Sequence, residues 1–520
     1  MQKKNLLILL LFLFGISCQK NELTNIIAES DHTSSGTLNA TSSESINFTL
    51  AGSIDLGPTG AAEISAYDPG TKKLFVVNNT NNNNRIDVLD LSNPSSPELL
   101  TSISIGRFGG LVNSVSVSEG KLAAGIEASD KVSAGKVVVF NTTTHDVIRE
   151  LSVGSLPDMV TFTPDGLYIL CANEGEPNPD YSIDPPGTIS IIDIMQDYTV
   201  TTLGFDHFNN TQYQLEARGL RVFGPNATLA QDIEPEHIAV SSNSRTAWVT
   251  LQENNAIAQI NILAKTITQI FPLGFKNHNL PINAIDPSDQ NGGALLSNYP
   301  VRGMYEPDGI AVLDYNGNPF LFTANEGDSR EYNTYVENIR FGNSNYKLDP
   351  AAFPLGTQLK SNNILGRLNV SQAIGDVDND GDFDQAYTHG ARSFTIWNGR
   401  NGARIFDSHD DLDRRAIAAG KYPDGRSDDK SIEPEAVVIG KVGDVNLLFV
   451  GMERANAVAV YDITDPLNPV YLQWLVTAQA PEGIVFVPAD QSPTGKSLLI
   501  VSCEGDGVVM VFSTSGNSTF

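Results

Sequence analysis

The sequence is poor in basic residues and in long hydrophobic runs. Lys and Arg number 33 against 61 Asp and Glu, so the formal net charge is −28 at pH 7. Nucleic-acid binding needs a basic footprint, which this composition does not provide, and a negative field attracts cations instead. The apolar run at residues 6–14 is too short to span a bilayer as a helix, and no other segment is apolar and long enough to do so. Most of the chain is therefore expected to be soluble.

Motifs of nucleophilic catalysis are lacking as well. The chain has 7 histidines, and few of them lie within recognisable motifs. A Ser-His-Asp triad has no nucleophile-elbow motif to support it. The sequence alone therefore predicts no such active site.

One pattern recurs seven times over residues 63–512. In a typical unit an acidic turn leads into an apolar strand, a second strand ends in Glu, and a third ends at a turn with Asp or Asn. The third unit runs in this way from Asp158 through Glu174 to Asp193. Repetition at roughly 40 residues or more, with several short β-runs per period, is typical of a β-propeller. We therefore predict an all-β fold, a seven-bladed β-propeller over residues 46–515.

The units also predict how the ring closes. A fourth strand lies between units, for example at residues 99–105, but none follows the seventh unit. Residues 46–56 form a candidate strand before the first unit. If this strand completes the last blade, no open sheet edge remains for aggregation. The alternative is an edge strand on the first blade.

Cysteine is scarce, with Cys18, Cys171 and Cys503 only. Cys171 and Cys503 belong to the third and seventh units, which lie far apart on a ring, so no disulfide is expected between them. Each is predicted to behave as a small buried hydrophobic residue.

The N-terminus is typical of a secreted protein. Residues 1–17 combine Lys3 and Lys4 with an apolar run and small residues before Cys18, as in a lipoprotein-type signal peptide. The alternative is an ordinary signal peptide with an incidental cysteine. Residues 18–45 have the composition of a flexible tether. We expect a monomer that is lipid-anchored to a membrane through Cys18 in the bacterial cell envelope, at the outer membrane or the cell surface.

A short acidic segment matches most of a calcium-binding loop. It reads Asp376-Val-Asp378-Asn-Asp380-Gly381-Asp382-Phe-Asp384, with carboxylates at alternating positions and glycine at the tight turn. Position 12 of the loop is Tyr387, so the bidentate Glu of an EF-hand is absent. We predict structural Ca²⁺ at this loop. A solvated acidic turn and a catalytic metal are the alternatives.

Acidic residues also recur at equivalent positions of the seven repeat units. On a propeller, equivalent positions fall on circles around the axis, which predicts two concentric acidic rings at one mouth of the channel. These acids bind cations or a ligand, or else cap backbone groups and pair with nearby arginines. The channel-mouth acids are Asp158, Glu174, Glu236, Glu253, Asp308, Glu326, Glu435, Glu453, Glu482 and Glu504.

Two insertions break the symmetry, at about residues 274–300 in the fourth blade and 328–389 in the fifth. Long loops on a rigid scaffold often carry function. The cations expected to face the acids would bind an anionic substrate together with metal, or would only neutralise the glutamates. They are Arg302, Arg392, Arg426, Lys430 and Arg454.

Several phrases of the sequence closely resemble the choice-of-anchor I family of secreted or surface-tethered bacterial propellers, which is similar to mesenchyme-specific cell-surface glycoproteins. Some relatives carry alkaline-phosphatase or phytase-like labels. The resemblance spans about residues 50–515 and implies fold and location more than activity. The phrases include Ala172-Asn-Glu-Gly-Glu-Pro-Asn178, Trp248-Val-Thr-Leu-Gln-Glu-Asn-Asn255, Thr323-Ala-Asn-Glu-Gly-Asp328, Gly390-Ala-Arg-Ser-Phe394 and Arg426-Ser-Asp-Asp-Lys430.

Two functions from different classes remain open. The first is a calcium-stabilised, non-catalytic module that binds a ligand or partner at the channel mouth. The second is a calcium-dependent phosphoesterase, in which clustered carboxylates hold metals that activate water. Its candidate catalytic residues are Glu174, Glu326, Arg302, Arg392 and Arg454.

Overall fold

The computed structural model describes residues 46–80 and 83–515. Strands make up 43% and helices 7% of the structure, which confirms the all-β class. The predicted signal peptide, Cys18 and the tether lie outside the described residues. Within those residues, no helix combines the length and the hydropathy that a bilayer span requires.

The first half of the chain forms strand β1 and four sheets of four antiparallel strands. β1 is Phe48–Asp55. Sheet 1 contains β2 (Ser65–Asp68), β3 (Lys73–Asn78), β4 (Arg85–Asp90) and β5 (Glu98–Ser104). Sheet 2 contains β6 (Val112–Ser118), β7 (Lys121–Ile126), β8 (Ala134–Asn141) and β9 (Val147–Ser155). Sheet 3 contains β10 (Pro157–Phe162), β11 (Tyr168–Asn173), β12 (Thr188–Asp193) and β13 (Thr199–Leu203). Helices α1 (Gln212–Glu216) and α2 (Leu229–Asp232) follow. Sheet 4 contains β14 (Pro235–Val240), β15 (Thr246–Leu251), β16 (Ala256–Asn261) and β17 (Thr266–Pro272).

The second half contains three more such sheets and the two predicted insertions. The first insertion carries β18 (Phe275–Asn277) and β19 (Arg302–Met304). Sheet 5 begins with β20 (Ile310–Tyr315) and β21 (Asn318–Asn325). The second insertion carries β22 (Asn338–Arg340), α3 (Gly356–Leu359), β23 (Asn369–Ser371) and β24 (Tyr387–Thr388). Sheet 5 ends with β25 (Ser393–Asn398) and β26 (Arg404–Asp407), and α4 (Asp411–Ala418) follows. Sheet 6 contains β27 (Pro434–Val442), β28 (Val445–Met452), β29 (Ala457–Asp462) and β30 (Val470–Val476). Sheet 7 contains β31 (Pro481–Val487), β32 (Leu498–Cys503) and β33 (Val508–Thr514). Three 3-10 turns complete the described elements, at Ile194–Gln196, Asp206–Thr211 and Asp424–Arg426.

The first strands of the sheets meet in a series that closes on itself. β2 contacts β6, and the contacts continue through β10, β14, β20, β27 and β31, which contacts β2 again. Apolar side chains fill the space between neighbouring sheets, as where Phe75 of sheet 1 and Phe140 of sheet 2 belong to one buried cluster. The seven four-stranded sheets of the described chain are therefore linked through their first strands in a closed series.

Strand β1 lies where the sequence analysis predicted a closing strand. It pairs antiparallel with β33, with Phe48 opposite Thr514 and Asp55 opposite Val508, and so becomes the fourth strand of sheet 7. A Cβ atom at Gly52 would lie 2.5 Å from the carbonyl oxygen of Pro94, so only glycine fits this close approach to sheet 1. The alternative of an edge strand on the first sheet is excluded.

The insertions have structure of their own. β18, β19 and β24 form one small sheet, and β22 pairs with β23. Phe341, Tyr346, Phe353 and Leu365 form a separate buried cluster in the second insertion. The segment with α1 and α2, between sheets 3 and 4, is a further excursion that the sequence analysis did not single out. Cys171 and Cys503 are buried free thiols, as expected.

Candidate functional site

A cavity of ≈ 400 Å³ lies where the first strands converge. Residues at or beside the start of the first strand of every sheet line it. Among the residues that the structure describes, no Lys or Arg lines this central cavity, whereas seven carboxylic side chains do. They are Asp158, Glu174, Glu236, Asp308, Glu326, Glu435 and Glu482.

A short sequence motif followed by a β-bulge positions four of these acids. Sheets 3, 4, 6 and 7 each begin their first strand with proline followed by Asp or Glu, as in Pro434-Glu435. Proline has no N–H for the ladder and is tolerated at the first position of a strand. In each case the pairing register shifts directly after the proline, for example between Pro434 and Val437. Such a bulge re-aims a side chain, which is why the acid after the proline faces the cavity.

Three of the cavity carboxylates have buried oxygen atoms that accept no hydrogen bond within the described chain. The Oε2 atoms of Glu236, Glu435 and Glu482 are buried and, within the described chain, have no hydrogen-bond partner. Burial raises the pKa of each of these carboxyls well above the ordinary value, and neighbouring carboxylates raise it further. An unpartnered buried polar group costs about 1–3 kcal/mol, and a charged one costs more. These side chains therefore need protons or cations.

One lysine and one histidine approach the lining acids. Lys430 donates to Glu326 over 2.6 Å, and Nδ1 of His237 lies 3.1 Å from Oδ1 of Asp308. Burial raises the pKa of Glu326 to about 7 although Lys430 opposes the shift. Burial also raises the pKa of Asp158 to about 6, against the effect of His237. Within the described chain, one lysine and one histidine thus face seven carboxyls.

Some of these acids come close enough to share an ion. Oxygen atoms of Asp308, Glu326 and Glu435 lie within 4.8 Å of one another, with sheets 5 and 6 supplying them. Carboxylate oxygens are hard ligands, which suit Ca²⁺, Mg²⁺ or Mn²⁺. This group could hold one divalent cation at the wall of the cavity.

The other predicted channel-mouth acids lie outside the cavity lining. Glu253 has a buried Oε2 without a hydrogen-bond partner, and Oε1 of Glu453 lies 2.7 Å from Nη1 of Arg454. Burial raises the pKa of Glu453 to about 8. Glu504 follows β32 and does not line the cavity. The single acidic region predicted from the repeats is thus divided into a lining set and an outer set.

The predicted arginines are placed differently from one another. Arg392 is buried, and its guanidinium donates to the carbonyl oxygens of Asp286, Ser427 and Asp429. Arg302 lies in β19 of the first insertion and does not line the cavity. Arg454 is partly exposed, and its Nε donates to Glu433 over 3.1 Å. Of these three arginines, Arg454 alone stands beside clustered acids.

The acidic loop gathers part of its predicted ligand set. Oxygens of Asp376, Asp378 and Asp384 lie within 4.8 Å of one another, and that group does not include Asp380 or Asp382. The N–H groups of Asp380 and Gly381 donate to Asp376 over 3.2 and 3.0 Å, and that of Val377 donates to Asp384 over 2.8 Å. The neighbouring Asp380 raises the pKa of Asp378. The loop is solvent-exposed, and backbone donors already serve two of the grouped acids.

Three acids lie directly before Pro-acid pairs, and none of them is among the site residues predicted from the sequence. Glu234, Glu306 and Glu433 are buried, and each pairs with arginine. Glu234 pairs with Arg330, Glu306 with Arg221, and Glu433 with Arg426. The triplet Glu-Pro-Asp/Glu in sheets 4, 5 and 6 is a signal that could have found them.

The fold is β-structured, and acidic side chains line its central cavity. Residues 63–466 match the choice-of-anchor I domain. The chain belongs to the choice-of-anchor I family, which places it among surface-associated β-structured proteins.

Two further likenesses are partial or distant. Gigasin-3a from Magallana gigas is 28% identical over 189 residues, which cover 29% of this chain and 66% of that protein, just under two thirds of its length. Hydrazine synthase from Kuenenia stuttgartiensis aligns with a TM-score of 0.46 and 14% identity, over 88% of this chain and 96% of that chain.

Proposed function

We propose that the protein is a surface-tethered, seven-bladed β-propeller that binds calcium in its central cavity and presents the loaded cavity to a ligand or partner. The closed series of contacts between first strands supports the propeller architecture. Cys18 is the proposed lipid attachment point, at the outer membrane or the cell surface. The acidic loop is a second proposed calcium site.

The observation that carries the proposal is the set of unpartnered oxygens on Glu236, Glu435 and Glu482. Buried carboxylates are normally paired, hydrogen-bonded or bound to metal. A cation near Asp308, Glu326 and Glu435 would let several cavity acids ionise together. Since the cavity is wider than one ion, water or a ligand would complete the coordination of Ca²⁺, which takes six to eight oxygens.

The test is metal content and thermal stability of the purified full chain. We expect bound calcium by elemental analysis after dialysis, and a melting temperature that falls in chelator. At a calcium concentration of 100 times Kd the ligand would stabilise the fold by about 2.7 kcal/mol.

The variant Glu435→Gln should remove most of this calcium-dependent stabilisation, because it deletes a charge of the proposed group. Glu98→Gln is the matched control, since Glu98 lies exposed on the outer strand β5. Equal calcium responses in both variants would contradict the cavity as the binding site.

A calcium-dependent phosphoesterase is the second candidate. The cavity group of Asp308, Glu326 and Glu435 favours it, because oxygens of Glu326 also lie within 4.8 Å of Glu433 and Glu453, which pair with the partly exposed Arg426 and Arg454. Metal would activate water, and arginine would orient the phosphate. Turnover of a chromogenic phosphate ester that needs calcium and is lost in Glu326→Gln would support this function, and its absence at any calcium concentration would exclude that substrate class.

A further inference from the structure

The fold repeats one group of three glutamates at two places. In each group, one Glu follows the second strand of one sheet, and the other two glutamates belong to the next sheet. These two are the Glu before the Pro-acid pair and the Glu after the second strand. Between sheets 3 and 4 the group is Glu174, Glu234 and Glu253, and between sheets 5 and 6 it is Glu326, Glu433 and Glu453. Within each group, one oxygen per residue lies within 4.8 Å of the others.

The group between sheets 5 and 6 contains a protein cation. Nζ of Lys430 lies 2.6 Å from Oε1 of Glu326 and 3.9 Å from Oε2 of Glu433. Arg426 and Arg454 bind the remaining acids from outside, at 2.7 Å from Glu433 and 2.7 Å from Glu453. Three cationic side chains therefore neutralise three carboxylates.

The group between sheets 3 and 4 has much less compensation. Arg330 donates to Glu234, with Nε 3.1 Å from Oε2, and the same guanidinium is also bound to Asp232. No Lys or Arg of the described chain lies within ion-pair distance of Glu174 or Glu253. Glu253 is 4% exposed, and its Oε2 has no hydrogen-bond partner within the described residues.

Further acidic residues and a tyrosine of the second insertion surround the group between sheets 3 and 4. Glu176 and Asp328 are charged neighbours of this group, and they raise the pKa of Glu174 and of Glu253, respectively, beyond the effect of burial. Tyr332, from the second insertion, lies close enough to Glu234 and Glu253 for their charges to raise the pKa of its phenol, after burial. An oxygen-rich, partly enclosed position thus lacks the ammonium group that fills its counterpart.

We propose that a divalent cation, Ca²⁺ by its preference for carboxylate oxygens, binds between sheets 3 and 4 to Glu174, Glu234 and Glu253, where Lys430 stands in the equivalent group between sheets 5 and 6. This site is separate from the cavity group of Asp308, Glu326 and Glu435, and it does not depend on the proposed function. It joins two neighbouring sheets and so acts on stability and on the position of the covering insertion.

The test counts calcium per protein in the full chain by elemental analysis. Glu253→Gln should lose one bound ion relative to the wild type. Glu453→Gln, at the equivalent position of the lysine-filled group, should lose none. Circular dichroism verifies that each variant is folded, and Glu174→Gln replaces Glu253→Gln if the latter does not fold.

Two more variants separate this site from the cavity. Glu435→Gln should lose the cavity ion and keep this one, and the double variant Glu253→Gln/Glu435→Gln should lose both. If folded Glu253→Gln and Glu174→Gln keep the wild-type calcium content, the inference is overturned whatever Glu435→Gln does. If Glu253→Gln loses one ion but Glu435→Gln keeps the wild-type calcium content, the proposed cavity site fails and the site between sheets 3 and 4 is supported.

Discussion

The acidic loop at residues 376–384 and the central cavity hold the same kind of side chain in opposite surroundings. In the loop, backbone N–H groups donate to Asp376 and Asp384, and all five aspartates are exposed or half-buried. In the cavity, Glu236, Glu435 and Glu482 keep buried oxygens without donors. The number of acids alone therefore does not measure how strongly a site needs a cation. Burial and the supply of donors decide it.

The largest difference between the cavity and the acidic loop should come from removal of Lys430, which donates to Glu326 of the cavity. In Lys430→Met, Glu326 and Glu433 lose their shared ammonium group, and the loss of one partner of a buried pair costs about 3 kcal/mol or more. We expect that drop in the free energy of unfolding in chelator, and partial recovery in calcium, which would take the place of the ammonium group. Chemical denaturation measures both values.

The matched control is Lys441→Met, since Lys441 is exposed on β27 and belongs to no ion pair in the described chain. If Lys430→Met and Lys441→Met have the same stability in chelator, the cavity does not depend on internal cations.

The pH dependence of stability should come from the buried acids. Burial raises the pKa of Glu63 and of Glu326 from 4.5 to about 7, and that of Asp158 from 3.8 to about 6. The folded state then binds more protons than the unfolded chain, so in chelator the free energy of unfolding should fall as pH rises from about 4.5 to about 7. A shift of one pKa unit corresponds to about 1.4 kcal/mol, and we expect a fall of at least this size.

Calcium should flatten this slope because it replaces the protons that the folded acids retain. Urea denaturation at a series of pH values, with calcium and with chelator, gives the comparison. A stability that rises over this pH window in chelator would show that the cavity acids are ionised and paired.

The smallest effect is expected from the loop. Asp378→Asn removes one carboxylate of the exposed group, and the charge of Asp380 already raises the pKa of Asp378. Calcium-dependent stabilisation should fall by less than about 1 kcal/mol, because exposed charges are screened by solvent and salt. A fall as large as that of Glu435→Gln, measured by the same thermal unfolding, would reverse the ranking of the two regions.

Much of the architecture could be predicted because strand alternation and turn residues are local signals. The seven repeats and the closing strand β1 were visible in this way. The site was only partly predictable. Acids at equivalent positions of the repeats share a sequence pattern, but they differ in their ion-pair and hydrogen-bond partners. Glu453 has Arg454 beside it, whereas Glu253 keeps an unpartnered oxygen.

The partners themselves come from distant segments, which no periodicity reveals. Arg330 reaches Glu234 across 96 residues, and Lys430 reaches Glu326 across 104. Arg392 was a candidate to face the acids, but the carbonyl groups of Asp286, Ser427 and Asp429 surround it instead. Tertiary contacts of this kind decide whether a charge is available to a ligand or is part of the scaffold.

The closing strand has a mechanical consequence for a tethered protein. β1 is the first described strand after the proposed anchor, and it is held to β33 over seven residue pairs, with Phe48 packed 5.3 Å from Phe449 and Gln473 bonded to both backbone groups of Phe48. A force on the chain before residue 46 is therefore borne first by this strand and by its contacts with β33 and with sheet 6. Traction on the proposed anchor at Cys18 would therefore act first on the strand that completes sheet 7 and closes the series of sheets around the cavity.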